Sequence, residues 1–556
     1  MPPLQVTELI ERLAAVRRPD AASAWHMLSG LTLSGIAADS RRVRPGFLFA
    51  ALPGRASRPG ARPGNPPGGA LDGRSFIAEA VANGAAAVLA PPGTTWPPGV
   101  PPRPLIEDAE PRRLLAELAA AFAGPAPATI AAVTGTNGKT STVEFLRQLW
   151  TMAGHPAASL GTLGLVTAGC RSPVSGLRSP LQSAADGGDQ QATETKEPVS
   201  RSRDPRAAAD FAIGTPGALT TPDPMALAET MASLAQNGIA RVAIEASSHG
   251  LDQFRLDGLR LAAAGFSSFS RDHLDYHADM SAYRAAKLRL FDELLPRGAP
   301  AAVSTGLDSI TLSALAAIAR RRRLRLETVG EDGSLIRLLR ATPIPGGQHL
   351  TLPGQDILLP LPGRFQARNA LLAAALALLL NTEGALENLA RLRPVRGRLE
   401  RAAELGNGAA AYVDYAHTPD AITNLLAALR PHTLGRLVIV FGAGGDRDPG
   451  KRAEMGRAAA RGADRVFVTD DNPRTEDPAQ IRRAVRAGCP GAVEIADRRE
   501  AIAAALSSLR PGDVLAVAGK GHEPGQIVGD RVLPFDDVAV IRALAGQRGA
   551  EEQTGP

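Results

Sequence analysis

Short β-branched segments alternate with helix-length segments along most of this chain, and this alternation restricts the available folds more than any other feature. In the middle of the chain the segments are TIAAVTG, ARVAIEAS and LAAAGFSSF, and a helical pattern follows the first of them. After about residue 395 the alternation starts again with AAYVDYA, RLVIVFGAG, DRVFVTD, AVEIAD and DVLAVAG. Strands that alternate with single helices form parallel sheets with helices on their faces. The sequence therefore predicts an α/β fold with two parallel-sheet domains, the second of Rossmann type.

The length of 556 residues and a proline-rich stretch predict three domains, because one hydrophobic core rarely extends over so long a chain. The stretch PPGTTWPPGVPPRP precedes the first central strand and is typical of a boundary. We predict a small N-terminal α/β domain over residues 1–110, a central ATPase-like domain with a parallel sheet over 111–395, and a C-terminal Rossmann-like domain over 396–556. Residues 55–69 and 168–206, which are rich in Pro, Gly or Ser, are predicted to be disordered insertions.

The charge balance and the cysteines argue against several classes of protein. A net charge of +6 arises from 62 basic and 56 acidic side chains, so a dedicated nucleic-acid surface is a weak hypothesis. Cys170 and Cys489 lack metal-site spacing, and the N-terminus lacks the apolar segment of a signal peptide. The longest apolar run, residues 370–380, is about half the length that a bilayer requires. We expect a monomeric cytoplasmic protein that binds neither nucleic acid nor a membrane.

The segment AVTGTNGKTS, residues 132–141, lies between a predicted strand and a predicted helix. Its glycines let backbone amides close around phosphate oxygens, Lys139 reaches the terminal phosphates of a nucleotide, and the Thr140 hydroxyl can ligate magnesium. Val133 occupies the position of the first glycine of the standard phosphate-binding loop, so this is the shorter GTNGKT variant. The alternative is a glycine-containing turn with an ordinary lysine, but the strand before and the helix after it favour a nucleotide site.

The loop resembles the ATP site of the Mur ligases and folylpolyglutamate synthases, which form amide bonds through an acyl phosphate. Further segments fit the Mur ligases in the same order, over almost the whole chain outside the two insertions. They are DSR (39–41), PGFLF (45–49), DGRSFI (72–77), EASSHGL (245–251), SRDHLDYH (270–277), LPGRF (361–365) and VDYAHTPD (413–420). The resemblance implies that the N-terminal domain binds a UDP-linked substrate, the central domain binds ATP, and the C-terminal domain binds an amino acid.

The resemblance also implies the reaction, namely ATP-dependent addition of meso-diaminopimelate to UDP-N-acetylmuramoyl-L-alanyl-D-glutamate in peptidoglycan biosynthesis. Mg²⁺ would be the cofactor, with Lys139, His273 and Lys287 as catalytic residues and Lys287 converted to a carbamate. Without the resemblance, Lys287 would be interpreted as a helix-surface lysine in water, and His273 as a satisfied polar residue. The implied metal ligands are Thr140, Glu245, His273 and Lys287. The implied ATP contacts are Gly135, Thr136, Asn137, Gly138, Lys139, Thr140, Ser141, Asn369, Arg398 and Asp414.

Contacts to the UDP-linked substrate are implied at residues whose hydroxyls and cation suit a pyrophosphate sugar. An alternative for the two threonines is a helix cap before Pro222, which does not exclude substrate binding. The implied residues are Ser40, Thr220, Thr221, Ser247, Gln253 and Arg255.

The choice of amino acid is predicted from DNPR, residues 471–474, which follow the strand DRVFVTD at the carboxyl side of a parallel sheet. Diaminopimelate differs from lysine by a second carboxylate, and a buried carboxylate is well matched by a forked guanidinium such as that of Arg474. By resemblance, Arg447 would pair with a carboxylate and Glu523 would accept hydrogen bonds from the ammonium group. Taken singly, each could be an ordinary surface ion pair. The implied diaminopimelate site comprises Arg447, Asp471, Asn472, Pro473, Arg474, Gly519 and Glu523.

Several other activities fit part of the pattern. A lysine-adding Mur ligase and a folylpolyglutamate-type ligase share the loop and the chemistry. A catalytically silent nucleotide-binding regulator fits the same scaffold, although the intact loop, Glu245 and Lys287 argue against it. A P-loop enzyme that remodels nucleic acid is suggested only by the basic isoelectric point.

Overall fold

A computed structural model describes most of the chain. The predicted insertion at 55–69 lies outside the described residues, as does the predicted insertion at 168–206 except for Ala168. The described residues are 4–5, 8–9, 11, 30–54, 72–168, 211–213, 220–274 and 276–553.

The chain divides into two compact units, each of which collects several stretches of sequence. Unit one comprises Met1–Thr136, Gly154–Ala301 and Asp308–Leu326. Unit two comprises Asn137–Ala153, Ala302–Leu307 and Glu327–Pro556. The domain boundaries near residues 110 and 395 remain predictions.

The described strands are short and several are buried along their whole length, as expected for parallel sheets covered on both faces. In chain order they are β1 (Leu4–Gln5), β2 (Thr32–Leu33), β3 (Gly35–Ala37), β4 (Phe47–Ala50), β5 (Ala87–Ala90), β6 (Leu105–Glu107), β7 (Thr129–Thr134), β8 (Ala157–Gly161), β9 (Gly164–Ala168), β10 (Phe211–Ile213), β11 (Arg241–Glu245), β12 (Ala263–Phe266), β13 (Pro300–Ser304), β14 (Arg325–Gly330), β15 (Ile336–Arg337), β16 (Arg340–Ile344), β17 (Gly347–Leu352), β18 (Gln355–Leu359), β19 (Glu400–Glu404), β20 (Ala410–Asp414), β21 (Leu437–Phe441), β22 (Arg465–Val468), β23 (Val493–Glu494), β24 (Val514–Ala518), β25 (Gly525–Val528) and β26 (Arg531–Pro534).

Many of the described helices begin at an Asp, Ser or Thr whose side chain accepts a backbone hydrogen bond from the first turn. They are α1 (Ile77–Ala82), α2 (Pro111–Ala123), α3 (Lys139–Met152), α4 (Pro224–Gln236), α5 (Ser248–Asp252), α6 (Met280–Arg289), α7 (Ser309–Arg322), α8 (Arg364–Leu379), α9 (Pro419–Leu429), α10 (Lys451–Gly462), α11 (Pro478–Arg486), α12 (Arg498–Ser507) and α13 (Asp537–Gln553). Short 3₁₀ turns span Ser40–Arg42, Gly73–Phe76, Glu387–Arg391 and Arg430–His432, and a π turn at Leu290–Leu294 continues α6.

Unit one contains a four-stranded parallel sheet in the order β3-β4-β5-β6. Its strands come from the N-terminal part of the chain. Leu48 and Leu89 on one face of this sheet pack with Leu114 and Leu118 of α2. A second set of strands lies in the order β10-β9-β8-β11-β7-β12, and its pairs β8–β11, β11–β7 and β7–β12 are parallel. Strand β9 pairs antiparallel with β8 and β10, so an antiparallel edge extends a parallel centre.

Unit two contains a six-stranded sheet in the order β19-β20-β24-β21-β22-β23. The five strands from β20 to β23 in this order are parallel, and β19 runs antiparallel at the edge. Leu437 and Ile439 of β21 belong to a core with α9 and α10, whereas Val438 and Val440 face a core with α12 and α13. The predicted α/β fold class, with its Rossmann-like C-terminal part, is therefore confirmed.

A fully buried ion pair joins two helices of unit two to the end of β24. The Arg498 guanidinium donates to Asp537 through Nε at 2.8 Å and Nη2 at 2.7 Å, and Nη2 also donates to the carbonyl of Ala518 at 3.0 Å. A bidentate ion pair forms only when both side chains have a defined relative orientation. Because Arg498 also contacts Ala518, the pair fixes the starts of both helices relative to the end of β24. None of the described helices is long and apolar enough to cross a membrane.

Candidate active site

The first residues of the GTNGKT loop pack directly against the backbone that follows β12. Thr136 donates its backbone N–H to the carbonyl of Ser268 at 2.7 Å, and its hydroxyl donates to the carbonyl of Ser270 at 3.2 Å. A Cβ atom at Gly135, where φ is +148°, would lie 2.1 Å from Oγ of Ser267. Only glycine fits this approach, so the loop is held in place by the neighbouring strand end.

Lys287 lies beside the same loop and is 1% exposed. Its Nζ donates to the carbonyl of Gly135 at 2.7 Å and lies 4.5 Å from the ring centroid of Tyr283. Burial raises the pKa of Tyr283, so this phenol stays protonated at neutral pH. The interpretation of Lys287 as a solvated helix-surface lysine is therefore wrong, because α6 directs the side chain into the protein.

Glu245 is buried at the carboxyl end of β11, as the sequence predicts for an oxygen ligand at a strand end. Its Oε1 accepts the backbone N–H of Thr162 at 2.7 Å, and its Oε2 accepts the Thr162 hydroxyl at 3.2 Å. A Cβ atom at Gly161 would lie 2.2 Å from Oε1, so the carboxylate fills the space beside β8. Each carboxylate oxygen has two lone pairs and uses one of them for these hydrogen bonds, so the other is chemically suited to a divalent cation.

His273 has a different environment from Glu245 and Lys287. Its side chain is 41% exposed, its Nε2 lies 3.6 Å from Oδ2 of Asp272, and its ring lies 4.9 Å from that of His249. Among the described residues, no group of three or more His, Cys, Asp or Glu side chains could hold a metal ion. A magnesium ion at Glu245 would therefore need further oxygens, and Mg²⁺ is commonly held by one or two carboxylates together with substrate phosphates and water.

Four of the residues predicted to bind the UDP-linked substrate form one hydrogen-bonded cluster in unit one. The Thr221 hydroxyl lies 2.9 Å from Oγ of Ser247 and donates to the carbonyl of Glu245 at 2.9 Å. Arg255 donates to the carbonyl of Thr221 at 2.7 Å and to Oε1 of Gln253 at 2.6 Å. The cluster places hydroxyls and a guanidinium immediately after the strand that ends in Glu245.

The alternative role of Thr220 and Thr221 as caps of the next helix is wrong. Asp223 caps α4, because its Oδ1 accepts the backbone N–H groups of Met225 and Ala226 at 3.1 Å each. Thr221 is fully buried and uses its hydroxyl within the cluster instead.

Ser40 lies at the start of a 3₁₀ turn in the N-terminal part of unit one. Its hydroxyl donates to Oε2 of Glu79 at 2.8 Å, and its carbonyl accepts from Nδ2 of Asn83 at 3.0 Å. No contact between Ser40 and the Thr221 cluster is shown among the described residues, so its substrate role remains a prediction.

The second half of the loop begins α3 in unit two, where Gly138 has φ of +86°. A Cβ atom at Gly138 would lie 2.3 Å from Oδ1 of Asn369, which α8 places against the helix start. Thr140 and Ser141 are buried in the first turn. The structure thus brings Asn369 to the loop, as the resemblance implies for an ATP contact.

Arg398 and Asp414 lie close to an aromatic ring that the sequence analysis did not select. The Arg398 guanidinium lies 4.7 Å from the ring centroid of Tyr415, and Asp414 accepts backbone N–H groups from Leu399 and Ala416 at 2.7 and 2.9 Å. Burial raises the pKa of Asp414, and the Arg398 charge opposes that shift. Burial, with a smaller contribution from Arg398, lowers the pKa of His522 to about 4, so its imidazole is neutral at pH 7.

The predicted diaminopimelate residues form a network around the buried side chain of Asn472. Its Nδ2 donates to Oε2 of Glu523 at 2.8 Å, and its Oδ1 accepts from Nζ of Lys520 and from the N–H of Ile527, both at 2.9 Å. Asp471 is also buried, and a Cβ atom at Gly519 would lie 2.4 Å from its Oδ2. Residues 471–474 and 519–523 therefore form one site at the carboxyl ends of β22 and β24.

Arg474 is held by backbone contacts in an unusual conformation with φ of +53°. Its N–H donates to the carbonyl of Ile527 at 3.1 Å, and its carbonyl accepts from Gly529 at 2.7 Å. Its guanidinium donates to the carbonyl of Gly445 at 2.7 Å through Nη1. Pro473 is buried, whereas Arg447 is exposed on the neighbouring loop after β21. Among the described residues, the hydrogen-bond partner of this guanidinium is thus a backbone carbonyl and not another side chain.

Three contributing residues were missed by the sequence analysis. Thr162 orients Glu245, Tyr415 stacks under Arg398, and Lys520 contacts Asn472. Lys520 and Tyr415 lie inside the segments AGKGHE and VDYAHTPD, so a search for polar side chains within those segments would have found both. Thr162 follows an Ala-rich strand without a motif and carries no comparable signal.

Two family models match this chain. The Mur ligase middle domain matches residues 133–377, and the glutamate ligase domain of Mur ligases matches residues 397–521. A curated relative from Caulobacter vibrioides, named UDP-N-acetylmuramoyl-L-alanyl-D-glutamate--2,6-diaminopimelate ligase, is 48% identical over 521 residues, which cover 92% of this chain and 96% of the relative.

Solved structures are similar over nearly the same length. A structure with the same enzyme name is 28% identical, with a TM-score of 0.63 and coverage of 97% of this chain and 99% of that one. The MurF ligase from Thermotoga maritima in complex with ADP is 16% identical, with a TM-score of 0.53 and coverage of 93% and 98%, and this likeness concerns the fold alone.

A comparison of two glycines tests whether the close contact between the loop and Asn369 is needed for the use of ATP. Gly138 and Gly154 have nearly the same φ, +86° and +84°, but a Cβ atom at Gly154 meets nothing within 4 Å. Both alanine variants carry the same backbone strain, of about 1–2 kcal/mol, and only Gly138→Ala displaces Asn369. We expect Gly138→Ala to lower kcat/KM for ATP at least about a hundredfold, and Gly154→Ala to leave it within about twofold. Equal effects of the two variants in steady-state kinetics would exclude this role of the loop.

Proposed function

This chain belongs to the Mur ligase family, and we propose that it joins meso-2,6-diaminopimelate to UDP-N-acetylmuramoyl-L-alanyl-D-glutamate in peptidoglycan biosynthesis, with conversion of ATP to ADP and phosphate. The observation that carries the choice of amino acid is the network at residues 471–474 and 519–523. It combines a backbone-fixed guanidinium with two carboxylates, which matches a ligand that bears both carboxylates and ammonium groups. Diaminopimelate differs from lysine by its second carboxylate, so within this network the choice between the two depends on the Arg474 guanidinium.

The reaction proceeds in two steps. The terminal phosphoryl group of ATP is transferred to the glutamate side-chain carboxylate of the nucleotide substrate, which yields an acyl phosphate and ADP. A neutral amine of diaminopimelate then attacks the acyl carbon, loses its proton, and the tetrahedral intermediate collapses to the amide and phosphate. The backbone amides of residues 135–141 and the Lys139 ammonium stabilise the charge on the transferring group.

The ATP site also requires a divalent cation, and the donor set fits Mg²⁺. The buried carboxylate of Glu245 supplies a hard oxygen ligand, and the Thr140 hydroxyl, His273 and a Lys287 carbamate are the further proposed ligands. When bound, Mg²⁺ neutralises phosphate charge. Asn369, Arg398 and Asp414 are proposed to contact the rest of the nucleotide, and Tyr415 stacks with Arg398 to hold it in place.

The two other substrates use separate groups of residues. We infer that Thr220, Thr221, Ser247, Gln253 and Arg255, together with Ser40, bind the UDP-linked substrate, because the described cluster presents hydroxyls and a cation. Arg474 and Arg447 would pair with the carboxylates of diaminopimelate, while Asp471 and Glu523 would accept hydrogen bonds from its ammonium. We further propose that the protein is a monomer and that it acts in the cytoplasm, where ATP and a UDP-linked precursor are available.

The product identifies the amino acid directly. The purified protein is given the UDP-linked dipeptide, ATP, Mg²⁺ and an equimolar mixture of diaminopimelate, lysine and glutamate. Mass spectrometry is expected to show the diaminopimelate tripeptide as the main product. Lysine incorporation at an equal rate would indicate a lysine-adding enzyme, glutamate incorporation would indicate a folylpolyglutamate-type ligase, and the absence of ATP turnover would indicate a silent regulator.

Arg474 is expected to discriminate diaminopimelate from lysine. Arg474→Ala removes a charge-assisted contact with the distal carboxylate and should lower kcat/KM for diaminopimelate about a hundred- to a thousandfold, whereas weak activity with lysine should change less than about threefold. Arg474→Lys keeps the positive charge but lacks the forked guanidinium, so its kcat/KM for diaminopimelate should lie between those of the wild type and Arg474→Ala. The matched control is Arg483→Ala, because that arginine is 66% exposed and pairs only at 4.0 Å with Asp477. A preserved ratio between the two amino acids in Arg474→Ala would refute the assignment.

The proposed carbamate on Lys287 can be tested by NMR as well as by activity. The neutral amine would attack carbon dioxide to form an N–C bond and release one proton. In ¹³C-labelled bicarbonate, ¹³C NMR is expected to show a carbamate signal that Lys287→Gln lacks and Lys451→Gln retains. Activity should fall in buffer depleted of carbon dioxide and recover with bicarbonate. Full activity in depleted buffer without a signal would show that Lys287 acts as an unmodified amine.

A further inference from the structure

Lysine is rare in this chain. The 62 basic residues include five lysines, at positions 139, 196, 287, 451 and 520, so arginine supplies nearly every other positive charge. Arginine presents a planar fork, whereas lysine presents a compact ammonium with three separate donors. Two of the lysines, Lys139 and Lys287, lie in or beside the phosphate loop. The other lysines among the described residues are Lys451 and Lys520.

The side chain of Lys520 is fully buried. Its Nζ donates to Oδ1 of Asn472 at 2.9 Å and lies 3.7 Å from Oδ1 of Asp471 and 3.7 Å from Oε2 of Glu523. Burial lowers the pKa of Lys520, and the charges of Asp471 and Glu523 oppose that shift. The ammonium thus stands between an amide oxygen and two carboxylates.

The first consequence concerns the orientation of the Asn472 amide. Lys520 and the N–H of Ile527 are both donors, so the oxygen of the amide must point toward them. The NH₂ group then points toward Glu523 and donates to Oε2 at 2.8 Å. Without the lysine, only one donor would define this orientation, and Glu523 would lose a fixed partner.

The second consequence concerns charge. Asp471 is buried and the Glu523 side chain is 32% exposed, and the Lys520 ammonium offsets one of the two negative charges that they carry. One ligand ammonium then completes the balance. Among the described residues, no hydrogen-bond donor is paired with Oε1 of Glu523 or with the Asp471 carboxylate, so acceptor positions remain for that ammonium.

We propose that Lys520 is a positioning residue for amino-acid binding, which orients the Asn472 amide and balances the Asp471–Glu523 pair so that one ammonium group of the incoming amino acid is accepted. This inference rests on the proposed function. Lys520 itself makes no contact with the ligand, and its effect reaches the ligand through Asn472, Asp471 and Glu523.

The test compares two variants of the full-length protein in steady-state kinetics with varied diaminopimelate. Lys520→Met keeps the length of the side chain and removes the donor and the charge, and it should raise KM for diaminopimelate about ten- to a hundredfold. Lys520→Gln keeps a donor without the charge and should raise it less. In both variants KM for ATP should stay within about twofold, because the nucleotide uses other residues.

Arg436→Met is the matched control. Arg436 is a cation of unit two that pairs with a buried carboxylate, although its own side chain is only partly buried. It donates to Oδ2 of Asp513 at 3.0 and 2.7 Å beside the start of β21, away from the carboxyl ends of the strands. We expect this variant to leave KM for diaminopimelate within about twofold even if it lowers the thermal midpoint.

Each result decides the question. A failure of the wild-type protein to incorporate diaminopimelate would overturn the proposed function and this inference with it. Incorporation by the wild type together with an unchanged KM in Lys520→Met would overturn the inference alone. If calorimetry shows that Lys520→Met does not fold, Lys520→Gln decides by the same criterion. Equal losses for ATP and diaminopimelate would show a general structural role and would also overturn it.

Discussion

Charged groups that are buried at the carboxyl ends of parallel strands must find partners inside the protein, and this requirement organises both units. Removal of an ionised group from water is costly unless hydrogen bonds and opposite charges replace the solvent. Glu245 uses Thr162 from the next strand end, Lys287 uses the carbonyl of Gly135, and Lys520 uses Asn472. The partners of each charge therefore fix neighbouring loops relative to one another before any ligand binds.

The same requirement explains which features could be predicted from the sequence. Strand and helix alternation, the GTNGKT loop and the DNPR segment are local patterns, and the structure places them at strand ends as expected for parallel sheets. Pairings across long sequence separations leave no such pattern. Asn472 meets Lys520 from 48 residues away and Ile527 from 55. The first contact depends on the sheet order β24-β21-β22 and the second on the separate β25–β26 hairpin, so neither could be predicted from the sequence.

Local interpretations failed where a tertiary contact used the same side chain differently. Thr221 precedes a helix, and its hydroxyl is a reasonable cap by sequence alone, but Asp223 caps the helix and Thr221 bonds to the strand end at Glu245. Lys287 lies on a helix and is charged, which by sequence alone favours the surface, yet its face of α6 packs inward beside Tyr283. In both cases the burial of the position, which single-residue propensity does not report, decides the role.

The proposed amino-acid site of unit two depends on two segments at once. The positive φ of Arg474 is unfavourable for a residue with a Cβ atom, and contacts with Ile527 and Gly529 of the β25–β26 hairpin compensate for it. Ile527 also donates its N–H to Asn472, so the hairpin holds the Arg474 backbone and the Asn472 amide together. The DNPR segment therefore needs the hairpin to hold Asn472 and Arg474 in their observed conformations. Residues 519–529 hold Asn472 and the backbone of Arg474 in one arrangement, and the proposed selectivity for a ligand with two charged ends depends on it.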